Sequence, residues 1–237
     1  MSLLSFGDQG YGDEMFFGAM LTIQIAVLGY VLALLAGTLI AVTTLKPKGL
    51  RWAIWRVYAS LFMSVPALLV IFLIYFGGAD VLTALLGLFG FKVRVTITPF
   101  SAGAAGLGLV YSAYLAEVVR AAIHNVPKGQ FEAAAALRIA PLYTWLFVIG
   151  PQAVRLALPG LVNLWIVVLK DTALISLVGL KDIIAQAKMA AGVTKEPFLF
   201  FIVAALFFIF MNALTLHVSG WLDHNVARGM RIARGRS

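Results

Sequence analysis

Residues 15–45 contain no charged side chain. As a helix rising about 1.5 Å per residue, this run is longer than the roughly 30 Å hydrocarbon core of a bilayer. It must tilt, or its ends must lie in the interface. A soluble core has no place for an uncharged element of this length, so the run points to a membrane. Charged residues make up only 12% of the 237, against about 25% in a soluble domain. A soluble enzyme and a disordered chain are disfavoured. A disulfide-stapled module is excluded, because there is no cysteine.

Five further apolar runs follow, four of them read as spans. Residues 57–76, with Pro66 inside, read as a second span ended by Gly77-Gly78. Residues 81–91 are too short to cross and read as a helix lying in the outer interface. Residues 92–98 alternate and read as extended, and Pro99 suits the first turn of a helix. Residues 99–119 form a third span rich in Ser101, Gly103, Ala104, Ala105, Gly106 and Gly108. Such small residues let helices pack closely in lipid. Residues 156–169 are short of a span unless they continue through Lys170-Asp171-Thr172 to about Leu180. Residues 197–221 form the last span, and its phenylalanines are expected to pack or to face lipid. The expected fold is all-α with five spans.

The charges orient those spans. With the N-terminus outside, the inner segments hold Lys46, Lys48, Arg51, Arg56, Arg120, Lys128, Arg138, Arg155, Arg228, Arg231, Arg234 and Arg236. The outer loops hold Lys92, Arg94, Lys181, Lys188 and Lys195. Twelve against five favours N-out, C-in. The same clustering accounts for the net charge of +8, so no nucleic-acid partner is expected. The first fourteen residues carry Asp8, Asp13 and Glu14 but no Lys or Arg. A signal peptide needs a basic start and a cleavage site, so the first span is expected to stay. Short linkers and no visible repeat suggest one domain, 1–237.

No G-x-x-x-x-G-K-[ST] loop is present, so ATP is not expected to bind here through a Walker site. His124, His217 and His224 lack metal-ligand spacing, and no serine sits in G-x-S-x-G. Glu117 lies three residues before Arg120, a helical pairing distance. It either pairs there or meets a cationic group of a solute. Lys170 and Asp171 stand at membrane depth, where ionisable groups usually face a cavity or each other. They read either as a self-neutralising pair pinning an unwound turn, or with Asp171 or Thr172 lining a path. Gln24, Asn163 and Asn212 read as hydrogen bonders between helices. Residues 131–139 are Ala-rich and helix-forming, with Gly129 ending the element before and Pro141 closing this one. Phe131, Ala134 and Leu137 would share a face. Too short and too charged at its flanks to span, this helix is either a connector or a docking helix.

The stretch from Val126 to Asn163 resembles the EAA loop of bacterial ABC-importer permeases of the polar amino acid uptake family. Glu132-Ala133-Ala134 matches the E-A-A core, followed by Pro151, Gln152 and Ala153. The run Tyr111-Ser112-Ala113-Tyr114-Leu115-Ala116-Glu117 and the lead-in Val126-Pro127-Lys128-Gly129-Gln130 are similar to that family. So are Lys170-Asp171-Thr172-Ala173-Leu174 and Ser64-Val65-Pro66. The likeness spans nearly the whole chain and is strongest to histidine/arginine and opine permease subunits. Two positions depart from the pattern. Arg138 stands where the family has a glycine, which permits a left-handed turn that arginine resists. Met63-Ser64 replaces the usual R-G.

The resemblance implies a type I ABC-importer permease fold in the bacterial inner membrane, with a cytoplasmic coupling loop at about 126–155. Gly129, Gln130, Glu132, Ala133, Ala134 and Arg138 would meet a separate ATPase. It implies two ATP-binding subunits that hold ATP and Mg, a second permease that is homologous or identical, and a periplasmic solute-binding protein. This chain would carry no cofactor and catalyse no reaction. Glu117, Lys170, Asp171 and Thr172 are the candidates for the substrate path. An ion-gradient-driven transporter or channel subunit remains an alternative, as does a structural membrane protein that anchors a partner through the E-A-A helix.

Overall fold

The computed structural model describes residues 2–7 and 10–227. Asp8 and the arginines at 228, 231, 234 and 236 lie outside the described residues, as does the side chain of His224. Five helical stretches are long and apolar enough to cross a membrane: Gly12–Thr43, Ala67–Leu88, Pro99–His124, Pro141–Val178 and Pro197–Trp221. No strand occurs among the described residues. Helix α1 is Gly12–Thr43, α2 Leu50–Ser64, α3 Ala67–Leu88, α4 Pro99–His124 and α5 Lys128–Ala136. After α6 (Pro141–Tyr143) and a π-helical turn (Thr144–Ile149) comes α7 (Gly150–Asp171). It passes into a 3-10 stretch (Thr172–Val178), then α8 (Ile183–Thr194) and α9 (Pro197–Ala227).

Helix α4 is the centre, packed on α1, α2, α3 and α7. It opens at Pro99, and Thr98 and Ser101 cap it reciprocally. The small residues act by packing. A Cβ on Gly37 would stand 2.8 Å from Leu115 Cβ and 2.8 Å from the Ser112 carbonyl oxygen. One on Gly103 would stand 2.5 Å from Ile175 Cδ1. Lipid provides no hydrophobic drive between helices, so such close approach holds the bundle together.

The second span differs from the sequence reading at both ends. Its helix breaks at Val65-Pro66 instead of Gly77-Gly78, so residues 57–64 belong to the separate helix α2. Proline has no amide N–H to continue the ladder. Glycine keeps its amide, and an unpaired backbone group in hydrocarbon costs several kcal/mol, against about 1 kcal/mol for glycine in a helix. Helix α3 therefore runs through both glycines to Leu88 and takes in most of the expected interfacial helix. Residues 92–98 adopt no regular structure, and the Val95 amide donates to Thr83 Oγ1 at 3.1 Å. The fourth span also starts earlier than expected, at Pro141, because the apolar TWLFVI segment joins it. It does extend past Asp171, as length required, by tightening into the 3-10 turn.

Helix α8 was not anticipated. Asp182 caps it, with Oδ1 accepting the Ala185 amide at 2.9 Å. Thr22 of α1 accepts the Ile183 amide at 3.2 Å. Asp182 is fully buried, and its Oδ2 has no hydrogen-bond partner among the described residues. Burial pushes this carboxyl up to about 6, against the pull of the Ala185 amide and the Lys188 charge. A raised acid favours the fold in its protonated form. Its contribution is complete below about pH 4, the usual aspartate value, and fades as pH rises through about 6. The purified protein should lose stability across that window in thermal unfolding, and Asp182→Asn should flatten the slope there.

Candidate functional site

Helix α5 lies at one end of the bundle, between α4 and the π-helical turn. Pro127 precedes it, and Gly129 sits inside its first turn instead of ending the element before. Ala134 is buried, and Phe131 packs on the cluster of Ile123, Val126, Ile149 and Ala153. Leu137 does not join that face; it is 74% exposed. Gln130 Oε1 accepts from Gln152 Nε2 at 3.2 Å, tying α5 to α7. Gly129, Glu132 and Ala133 are exposed, and Glu132 makes no ion pair or hydrogen bond among the described residues. The result is a short helix bolted to two spans by its inner face, with a free carboxylate on its outer one.

The end of α5 answers the question posed by Arg138. The helix closes at Ala136 well before Pro141, which instead opens α6. The Arg138 amide bonds the Ala135 carbonyl and the Ile139 amide bonds the Ala134 carbonyl, both at 3.0 Å. This is the bond pattern of a Schellman cap. Arg138 takes the left-handed position at φ 53, so the turn forms with arginine where glycine is usual. A side chain there costs about 1–2 kcal/mol, partly offset by the extra freedom glycine has when unfolded. Arg138→Gly should raise stability by about 0.5–1 kcal/mol in thermal unfolding.

A second group of residues lines the break between α2 and α3. The break frees a carbonyl at Met63, and the Tyr114 hydroxyl donates to it at 3.2 Å. Beside it lies a cavity of 570 Å³ walled by Ser64, Pro66, Tyr111, Tyr114, Asn163 and Asp171. The Tyr111 hydroxyl donates to the half-buried Asp171 carboxylate. Asp171 is not paired with Lys170; consecutive helical residues point to different sides, and Lys170 is exposed. Thr172 is fully buried, with its hydroxyl donating to the Leu169 carbonyl at 2.7 Å. The path candidates thus separate, with Asp171 on the cavity and Thr172 in the core. Among the described residues, neither Gln24, Asn163 nor Asn212 bridges helices. Gln24 and Asn163 are exposed, and the Asn212 carbonyl oxygen is buried without a partner among the described residues.

The cavity continues at Ser64 and Val65 into a second one of 860 Å³, lined by Trp52, Trp55, Arg56, Ser60 and Glu117. Glu117 pairs with Arg120 at 2.8 Å, the only ion pair among the described residues. The buried guanidinium lies over Trp52 at 5.0 Å and Trp55 at 4.7 Å and donates to Thr44 Oγ1 at 2.7 Å. It thereby joins α1, α2 and α4 just above α5. The spacing of Trp52 and Trp55, three apart on a helix, was the available sequence signal for this clamp. No group of three or more His, Cys, Asp or Glu among the described residues could hold a metal ion.

A multi-span helical bundle with a polar lane at a broken helix and a short exposed helix at one end has the build of a transport permease. Residues 15–228 match the family described as "Binding-protein-dependent transport system inner membrane component", and the chain belongs to that family. It is 39% identical over 231 residues to the nopaline transport system permease protein NocQ of Agrobacterium fabrum, covering 95% of this chain and 98% of the relative. It is 34% identical over 227 residues to the histidine/lysine/arginine/ornithine transport system permease protein HisQ of Salmonella typhimurium, covering 94% and 98%. The crystal structure of an amino acid ABC transporter with histidines superposes with a TM-score of 0.76 at 29% identity, over 91% of this chain and 95% of that one. The chain is thus a multi-pass permease of the ABC-importer type and not itself an enzyme.

Proposed function

We propose that this single domain of 237 residues is the membrane-spanning subunit of an ATP-driven importer for polar amino acids, of the basic or opine kind, in a bacterial inner membrane. It faces N-out and C-in, which sets α5 on the side of the ATPase. Two ATP-binding subunits hold ATP and Mg. A second permease, identical or homologous, completes the pathway, and a periplasmic binding protein delivers solute. The carrying observation is α5, short, fixed to α4 and α7, and presenting an unpaired Glu132. A permease with no phosphate loop of its own must take its work from another chain, and a rigid helix transmits a push. Gly129, Gln130, Glu132, Ala133, Ala134 and Arg138 form that contact.

The lane from Asp171 to Glu117 supports a cationic solute. Asp171 faces the upper cavity with its carboxylate oriented by Tyr111. A hydrogen bond to a charged group is worth about 1.5–3 kcal/mol, so Asp171→Asn should lower uptake of a basic solute about tenfold or more. Basal ATP hydrolysis by the assembly should hold. Radiolabelled uptake into proteoliposomes with ATP inside measures both; unchanged uptake would remove Asp171 from the path. Uptake by this chain alone without ATP would overturn the whole reading in favour of a gradient-driven carrier.

A further inference from the structure

Helix α4 has a second working face. At about 100° per residue, Val119 and Ile123 point away from Tyr111, Tyr114 and Glu117, which line the solute lane. They floor a groove of 750 Å³ between α1 and α7, walled by side chains such as Leu35, Leu39, Val42, Val154 and Leu161. Thr38 supplies its one hydroxyl, and Trp145, 36% exposed, stands at its end nearest α5.

The charge around that end is one-sided. A hollow of 480 Å³ shares Trp145, Gly150 and Val154 with the groove and holds Arg155. Arg155 is half-buried and makes no ion pair or hydrogen bond among the described residues. On the α1 side, a cavity of 540 Å³ shares Val42 with the groove and holds Lys46, Lys48 and Arg51. Among the described residues, no acidic one lines any of the three. Gln152 touches α5, and Arg155 follows it by three residues, about 4.5 Å further into the bundle. Arg155 falls within the candidate span Pro141–Val178, where an unpaired cation needs a counter-charge.

We propose that this groove seats an anionic phospholipid, with an acyl chain between α1 and α7 and the phosphate on Arg155. Acyl chains suit an apolar trough that opens sideways. A peptide strand there would leave backbone groups unpaired in hydrocarbon. A zwitterionic headgroup brings a cation of its own towards Arg155, where no acidic side chain among the described residues lines the hollow. Trp145 also packs edge-on against Phe131 of α5, ring centroids 6.2 Å apart. The lipid therefore braces the seat of α5, a consequence that rests on the coupling role above, whereas the binding itself does not.

Brominated lipids quench nearby indoles, so Trp145 reports on the groove directly. The full-length chain, with whatever subunits purify with it, is placed in phosphatidylcholine bilayers containing equal shares of brominated phosphatidylglycerol or brominated phosphatidylcholine. The Trp145 signal is the difference between wild type and Trp145→Phe. Phosphatidylglycerol should quench it more strongly. Arg155→Gln should cut that preference about fivefold, as expected for one basic group at a membrane surface, while Arg155→Lys keeps it. High salt, which screens the pair without altering the chain, should lower the preference in the wild type. Equal quenching by the two headgroups overturns the proposal, as does a preference that survives both Arg155→Gln and salt. Quenching by neither lipid overturns it as well, because a protein segment then covers the groove.

Discussion

Reversing the charge at Glu132 should stop ATP-driven uptake while leaving the chain folded in the membrane. Glu132 is exposed on α5 and bonded to nothing among the described residues, so Glu132→Arg should change stability by no more than about 0.5 kcal/mol. Its effect belongs to the partner. Spoiling one side of a buried charge contact costs about 2–5 kcal/mol, or about thirtyfold and more in occupancy of the coupled state. Uptake and the stimulation of ATP hydrolysis by loaded binding protein should fall together by that factor. Both are measured in proteoliposomes, with unfolding in detergent as the control. A carrier driven by an ion gradient would be indifferent to the change. A helix that only anchors a partner would lose the partner without any link between hydrolysis and uptake.

Removing Arg120 should damage the fold more than any other single change at a charged residue here. Its guanidinium lies over two indoles, is hydrogen-bonded to Thr44 and is paired with Glu117. A desolvated cation–π contact is worth about 2 kcal/mol, and a bond from a charged donor about 1.5 kcal/mol or more. Arg120→Ala should therefore cost about 3 kcal/mol, a large part of a typical 5–15 kcal/mol total. Arg120→Lys should recover little, because a single ammonium cannot lie flat on both rings and reach both oxygens. Glu117→Gln should cost about 1 kcal/mol or less, since that carboxylate is half exposed. Thermal unfolding of the three variants separates the contributions. Equal losses for Arg120→Ala and Glu117→Gln would mean that the ion pair carries the clamp and the tryptophans do not.

Local chemistry was enough to read the helical class, the number of spans, the small-residue packing of α4 and the Glu117–Arg120 pair. Each depends on neighbours within a few turns. Run length against bilayer thickness sets the spans, and a spacing of three sets the pair. The extent of the second and fourth spans is not legible locally, because glycine weighs differently once lipid forbids an unpaired amide, and because the apolar stretch 144–149 stands beside charged residues and joins its span only in the folded bundle. Helix α8 does not show in a local reading, since part of its burial comes from Met15 of α1, far away in sequence.

Sequence alone was enough to read five apolar runs as candidate spans and a short E-A-A helix between the third and fourth, because hydropathy and helix propensity act residue by residue. Only the tertiary structure decided that Asp171 turns to Tyr111 instead of Lys170, that Arg120 lies over two tryptophans, and that Arg155 has no counter-charge among the described residues. Those facts depend on which faces of separate helices meet, and the approach of one helix to another is set by packing across the whole bundle.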